Sequence, residues 1–489
     1  MTKAAESMPV LLKKTQVARA AATQVALPKP AEVSPTPAKT VAAGASAVTL
    51  AQILRSWWPI TLSWLMMIAE GPMVAALLAR LPEPTLNLAA YGGIVRPLTF
   101  AIESPLLVLL TASATLCKNW ETYQKVRKYA IWYIAICTAI HVVIAITPVY
   151  YWVTGRLIDA PQQIIEPARI GMIITIPYLA LVAYRRLNHG VLIRFRHSYS
   201  IMIGTLIRLV LVLAVMIFGP SFKLGASGVF LGALTMTGGV LIEALFIEWR
   251  FRPVCRNELK KAPAPEAAER INHSQFMKFY LPLASTTVAM FLIHPVISAA
   301  LSRMPNPVLS LAIWSPVVGL AGMLAAGGGP LVDVMVTVLD RPRSLARIRQ
   351  FTLMVAAVTA LLALSLVLSP LGKVWFGSVS ALAGSLLTVA QTSFWFALPY
   401  PIFLVFQSYY QGILTYKHRT NRITEAVFLN TLTMVVFLIL GTLWGKTEGI
   451  YVATTALSVG MILQTFWLWW RSQKWLHLLE EEVQGKVAR

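Results

Sequence analysis

Charged side chains are scarce in this chain. Asp, Glu, Lys and Arg make up 13% of it, against about 25% in a soluble globular domain. With 57% hydrophobic residues and a mean hydropathy of +0.66, that deficit excludes a soluble protein and requires a bilayer. The apolar runs lack period-two alternation, which excludes a barrel. Runs of about 20 residues therefore cross as helices, which satisfy their own backbone hydrogen bonds. Cysteine is rare. Cys117, Cys137 and Cys255 have no paired spacing and no His/Cys company, which excludes a disulfide framework and a Cys/His metal site and leaves packing residues or free thiols. Also missing are a paired-acid metal motif, a nucleophile with a base beside it, and a Gly-rich phosphate loop next to a Lys. These absences argue against a membrane-embedded transferase, and no enzyme activity, cofactor or metal is expected.

What the chain does have is a repeat. PYLALVAYRRLNHGVLIRFRHS, from Pro177, recurs 222 residues later as PYPIFLVFQSYYQGILTYKHRT, from Pro399, sharing Pro177/Pro399, Tyr178/Tyr400, Gly190/Gly412 and Leu192/Leu414 without a gap. Upstream, the stretch from Trp58 matches the one from Leu281 at an offset of 223, through Pro59/Pro282, Pro72/Pro295, Arg80/Arg303, Pro82/Pro305 and Pro84/Pro307. Pro and Gly are backbone devices, so two distant matches at nearly one offset indicate a duplication.

Twelve spans are expected, near 51–79, 86–115, 127–153, 168–184, 199–218, 225–249, 275–301, 308–338, 348–369, 381–406, 423–443 and 448–470. The fold class is an all-α polytopic membrane protein of 12 transmembrane helices. Two six-helix lobes at 49–250 and 274–471 are joined by a polar cytoplasmic linker at 251–273, with tails at 1–48 and 472–489. An even number of spans per copy keeps both copies in one orientation, so a pseudo-twofold axis along the membrane normal relates the lobes and a cleft lies between them. The tail 1–48, rich in Ala, Pro, Thr and Lys, reads as a disordered cytoplasmic extension without a signal-peptide core. The segment after Trp470 could lie as a short surface helix.

The formal charge of +22 takes its meaning from placement. Loops after even-numbered spans carry groups such as Lys118, Lys125, Arg127 and Lys128, or Arg341, Arg343, Arg347 and Arg349. Loops after odd-numbered spans carry only Arg80, Arg156, Arg169, Lys223, Arg303, Lys373 and Lys446. By the positive-inside rule both termini face the cytoplasm, across a plasma or bacterial inner membrane. Topology accounts for most of the basic excess, without a nucleic-acid partner.

An ionised side chain at a helix centre costs roughly 2.5 to 3.5 kcal/mol on insertion scales, so each one must face a cavity or a partner. Arg96 and Glu103, seven residues apart, share one stripe of the second span, about 10 Å from each other. Arg96 suits an anionic group and Glu103 a proton, unless each is neutralised in a structural pair. Glu70 precedes Gly71-Pro72, where a broken hydrogen-bond ladder frees carbonyls and makes a cation or proton site, unless Glu70 is simply wet at the interface. In the repeat, Gly71-Pro72 becomes His294-Pro295, and His294 either changes charge near neutral pH or is only hydrogen-bonded. Arg208 and Glu243 bond each other or line the cleft, and Asp333 belongs near the cytoplasmic interface. Arg185, Arg186 and His189 meet on a continuing fourth helix, where the repeat has Gln407, Ser408 and Gln411, so a basic lining at the cytoplasmic mouth belongs to one lobe. The anion-facing set is Arg96, Arg186, His189 and Arg208. The ion-coupling candidates, for H⁺ or Na⁺, are Glu70, Glu103, Glu243 and His294.

Twelve spans in two lobes resemble the multidrug/oligosaccharidyl-lipid/polysaccharide flippase superfamily, whose members include the multidrug and toxic-compound extrusion (MATE) carriers. Within it, NHGVLIRFRHSYSIMIG and AAYGGIVRPLTFAIESP are similar to the progressive ankylosis protein family. The likeness covers the second and the fourth-to-fifth spans best, and the C-terminal half through the repeat; the long N-terminal tail departs from it. It implies a carrier exporting small organic or phosphorylated anions such as ATP, pyrophosphate or citrate. A monomer among membrane lipids, moving its substrate by alternating access, is the expected form. A flippase for a lipid-linked, phosphate-bearing saccharide would use the same basic cleft but need a lateral portal. A cationic-drug exporter would need more intramembrane acid, and a scaffold would not need intramembrane Arg and Glu.

Overall fold

The computed structural model describes residues 48–221, 228–263, 271–339 and 344–487. The tail at 1–47, Lys223, Arg341 and Arg343 lie outside these. The described chain is helical and free of strands. Its long elements are α1 (Leu50–Ala79), α2 (Pro84–Leu116), α3 (Trp120–Ile146), α4 (Gln162–Ile174 and Ile176–Arg194), α5 (Ser198–Ser221) and α6 (Gly228–Leu259). The second half repeats the plan with α7 (His273–Ser302), α8 (Pro307–Val338), α9 (Ser344–Leu368), α10 (Gly384–Tyr416), α11 (Thr420–Trp444) and α12 (Gly449–Val487). Eleven are long and apolar enough to cross a membrane, and the two parts of α4, bent by 43°, supply a twelfth span.

Three boundaries differ from expectation for one reason. Polar residues end a hydropathy reading, but they do not end a helix whose polar side chains find partners. α4 continues past 184 through Arg185, Arg186 and His189 to Arg194. α6 runs on to Leu259, inside the expected linker. The segment after Trp470 is no separate surface helix but the continuation of α12, with the Arg471 guanidinium 4.9 Å and 4.8 Å from the Trp467 and Trp470 rings.

Both ends of the described chain lie on one face, here the near face. There α1 begins inside the second lobe: Ile53 is fully buried among α8 and α9 residues, and the Trp57 indole donates to the Gly327 carbonyl at 2.8 Å and packs edge-on to Phe351. α7 reciprocates. Its Phe276 and Tyr280 stack on Tyr129 and Tyr133 of α3, with centroids 4.8 Å and 4.6 Å apart, and the Tyr280 hydroxyl donates to the Pro105 carbonyl at 2.6 Å. The first helix of each lobe thus starts in the other lobe.

At the far face the lobes close on each other. α2 and α8 pack together through Pro84–Val95 and Pro307–Ala325. The fit needs glycine: a Cβ on Gly93 would stand 2.8 Å from the Leu311 side chain. Two arginines matched by the repeat then clasp the opposite lobe. Arg80 donates to the Ser378 and Val379 carbonyls, both at 3.0 Å. Arg303 donates to the carbonyls of Leu157 at 3.0 Å and of Arg156 and Ile158 at 3.3 Å, with Asp159 3.8 Å away. Each reaches the end of a π-helical turn, Val374–Val379 or Val153–Ile158, whose last carbonyls lack intrahelical donors.

Candidate functional site

Beneath that closure, between the lobes, lies a cavity of about 360 Å³. α1 contributes Gly71 and Pro72, α2 Arg96 and Phe100, α7 His294, α8 Trp314 and Val318, and α10 Tyr400. Among the described residues, no Asp or Glu lines it. Arg96 follows a π-helical turn, Tyr91–Val95, of the kind that often marks functional sites in α-helices. Its guanidinium carbon lies 4.7 Å from the centre of the Phe100 ring, and the guanidinium rests against Gly71, where a Cβ would sit 3.3 Å from Nη2. Arg96 makes no ion pair among the described residues. His294 packs against Phe100 and Phe291 at 6.2 Å and 5.8 Å between ring centres.

The other expected site residues gather inside the first lobe. Glu243 of α6, fully buried, is the hub: Arg185 donates to it, Arg208 Nε lies 3.2 Å and His189 Nε2 3.8 Å from its carboxylate, and the Thr205 hydroxyl donates at 3.5 Å. Arg208 also reaches Glu70 at 3.3 Å, so the two arginines and two carboxylates form one network across α1, α4, α5 and α6. Arg208 and His189, expected to face an anion, are held inside the lobe in this conformation. Arg185 is likewise buried, with its charge compensated by Glu243. Glu103 is buried beside Tyr178 and Arg186 of α4, so the stripe it shares with Arg96 divides, Arg96 toward the cavity and Glu103 into the lobe. One carboxylate oxygen of Glu70 and one of Glu103 are buried without a hydrogen-bond partner. Asp333 is exposed near the end of α8. Cys117, Cys137 and Cys255 are buried free thiols.

Among the described residues, no group of three or more His, Cys, Asp and Glu side chains is arranged to hold a metal ion. The sequence reading missed Phe100, Trp314 and Tyr400. They carry no charge, so no insertion cost flags them; the repeat pairing Tyr178/Tyr400 marked only the last. The repeat also explains the polarity of the cavity, because at its offset of 223 Arg96 corresponds to Gly319 and Gly71 to His294. All four line the same space.

No family model and no curated protein sequence matches the chain. Solved structures do. An inward-facing multidrug resistance MATE family transporter of the MOP superfamily superposes with a TM-score of 0.63 at 15% identity, over 86% of this chain and 99% of its own. The eukaryotic MATE transporter AtDTX14 gives 0.54 at 13% identity, over 89% of this chain and 99% of its own. The chain therefore has a MATE-like fold, a bundle of two six-helix lobes whose long helices are apolar enough to cross a membrane.

Proposed function

We propose that this protein is a secondary transporter that exports a small organic or phosphorylated anion by alternating access between its lobes. One observation carries the reading: among the described residues, an arginine without an ion pair faces a central cavity that no carboxylate lines. A guanidinium without a carboxylate partner in a cleft attracts an anion and offers it charge-assisted hydrogen bonds. The near face is assigned to the cytoplasm because the loops on that side carry most of the Lys and Arg, and the membrane to a plasma or bacterial inner membrane. Of the two segments similar to the progressive ankylosis family, one carries Arg96 and Glu103 and the other His189. That resemblance implies ATP, pyrophosphate and citrate as substrate types. Glu70 and Glu103 are assigned to coupling, since a buried carboxylate oxygen without a partner is completed by a proton or a small cation. His189 and Arg208 would reach the anion only once the network around Glu243 rearranges, and Arg186 only on moving from its place beside Glu103. The working unit is taken as a monomer among membrane lipids.

Reconstitution into liposomes with labelled anions, with and without a pH or Na⁺ gradient, tests this. Uptake above that of empty vesicles is expected, and Arg96→Ala should abolish it while leaving membrane insertion intact. Undiminished transport by Arg96→Ala would remove Arg96 from the substrate path and overturn the reading.

A further inference from the structure

The cavity is charged at one pole only. Arg96 stands on the first-lobe wall, and the residue that replaces it in the second lobe is Gly319. Trp314, Val318 and Tyr400 face the same space from α8 and α10. The guanidinium is already covered on one side by Phe100. His294 adds a second positive charge only when protonated.

A ligand with one negative group and a flat apolar body satisfies both poles. Its charge meets Arg96 in charge-assisted hydrogen bonds, and its body is buried against aromatic side chains in stacked or edge-on contact. A polyanion does not fit that division. Each further ionised group would leave water for a space in which the described residues supply no second fixed cation, and burial of an uncompensated charge is strongly unfavourable. Resting on the transport reading above, we infer that this site selects monoanions carrying an aromatic or otherwise flat apolar group, in preference to citrate, pyrophosphate or nucleoside triphosphates.

The test uses the full chain in liposomes and labelled benzenesulfonate, a permanently ionised probe that does not cross lipid as the free acid. Saturable uptake is expected, with methanesulfonate, citrate, pyrophosphate and ATP each competing at least about tenfold more weakly than unlabelled benzenesulfonate. Trp314→Ala should weaken benzenesulfonate binding about tenfold while leaving the weak competition by methanesulfonate within about twofold, and Arg96→Ala should remove transport of both. The wild-type ranking decides the matter even if the Trp314 variant does not fold. Transport of pyrophosphate or citrate with benzenesulfonate excluded would overturn this inference and leave anion transport standing. Failure of every probe to move would overturn both.

Discussion

Gly71 and Arg96 share one spot between α1 and α2. A methyl group at position 71 would meet Nη2 at 3.3 Å, tighter than ordinary contact, but the guanidinium ends a flexible side chain and can give way. Gly71→Ala should therefore raise the half-saturation concentration for the anion several-fold, about 1 kcal/mol, with an unchanged melting temperature; uptake titration and thermal unfolding in detergent check it. Glu70 is the second test at this scale. With one oxygen on Arg208 and the other orphaned, Glu70→Gln keeps the shape and removes the titration, so gradient dependence of uptake should vanish while binding persists. Retained gradient dependence would exclude Glu70 from coupling. The individual charges were legible in the sequence because each is too costly to leave in lipid. Of their pairings, only Arg208 with Glu243 stood among the alternatives the sequence offered; that Arg208 also meets Glu70, and that Arg185 meets Glu243, depends on helix rotations no local pattern records.

Gly190 and Gly412 show what the repeat preserved at the level of helix packing. A Cβ at Gly190 would lie 1.8 Å from the Ser113 hydroxyl and 2.3 Å from the Leu110 carbonyl, whereas at Gly412 the nearest atom is the Met335 sulfur, at 2.6 Å. α4 thus presses backbone to backbone on α2, while α10 meets only a side chain on α8. Gly190→Ala should cost about 3 kcal/mol or more, because a backbone carbonyl cannot step aside. Gly412→Ala should cost about 1 kcal/mol, because a thioether repacks; yield and melting temperature of the two variants make the comparison. The sequence marked both glycines but not the bend in α4. That bend falls at Thr175, whose hydroxyl bonds back to the Gly171 and Met172 carbonyls just before Pro177 removes a donor. Two devices that only weaken a helix singly break it together.

For the whole molecule, parity of spans and the internal match sufficed to place two lobes side by side. They did not reveal that α1 and α7 exchange partners at the near face, since an apolar helix carries no mark of the lobe it will join. Nor did they reveal the purpose of Arg80 and Arg303, which read simply as rare basic residues on the sparse side. These arginines hold the far face shut through hydrogen bonds, each worth about 0.5 to 1.5 kcal/mol. Arg80→Ala combined with Arg303→Ala should shift the population toward conformers open at the far face by about tenfold or more. A cysteine introduced at Ser315, in the cavity wall, should then react faster with an impermeant thiol reagent applied from that side. An unchanged rate would show that the clasp carries no weight.

The exchanged helices have an ancestral corollary. A six-helix unit built this way would have been incomplete alone, its opening rod seated in a twin, so two such units would have had to pair before one gene encoded both. The halves cut apart today should likewise be unstable when made singly and should recover a native-like melting profile when produced together in one cell.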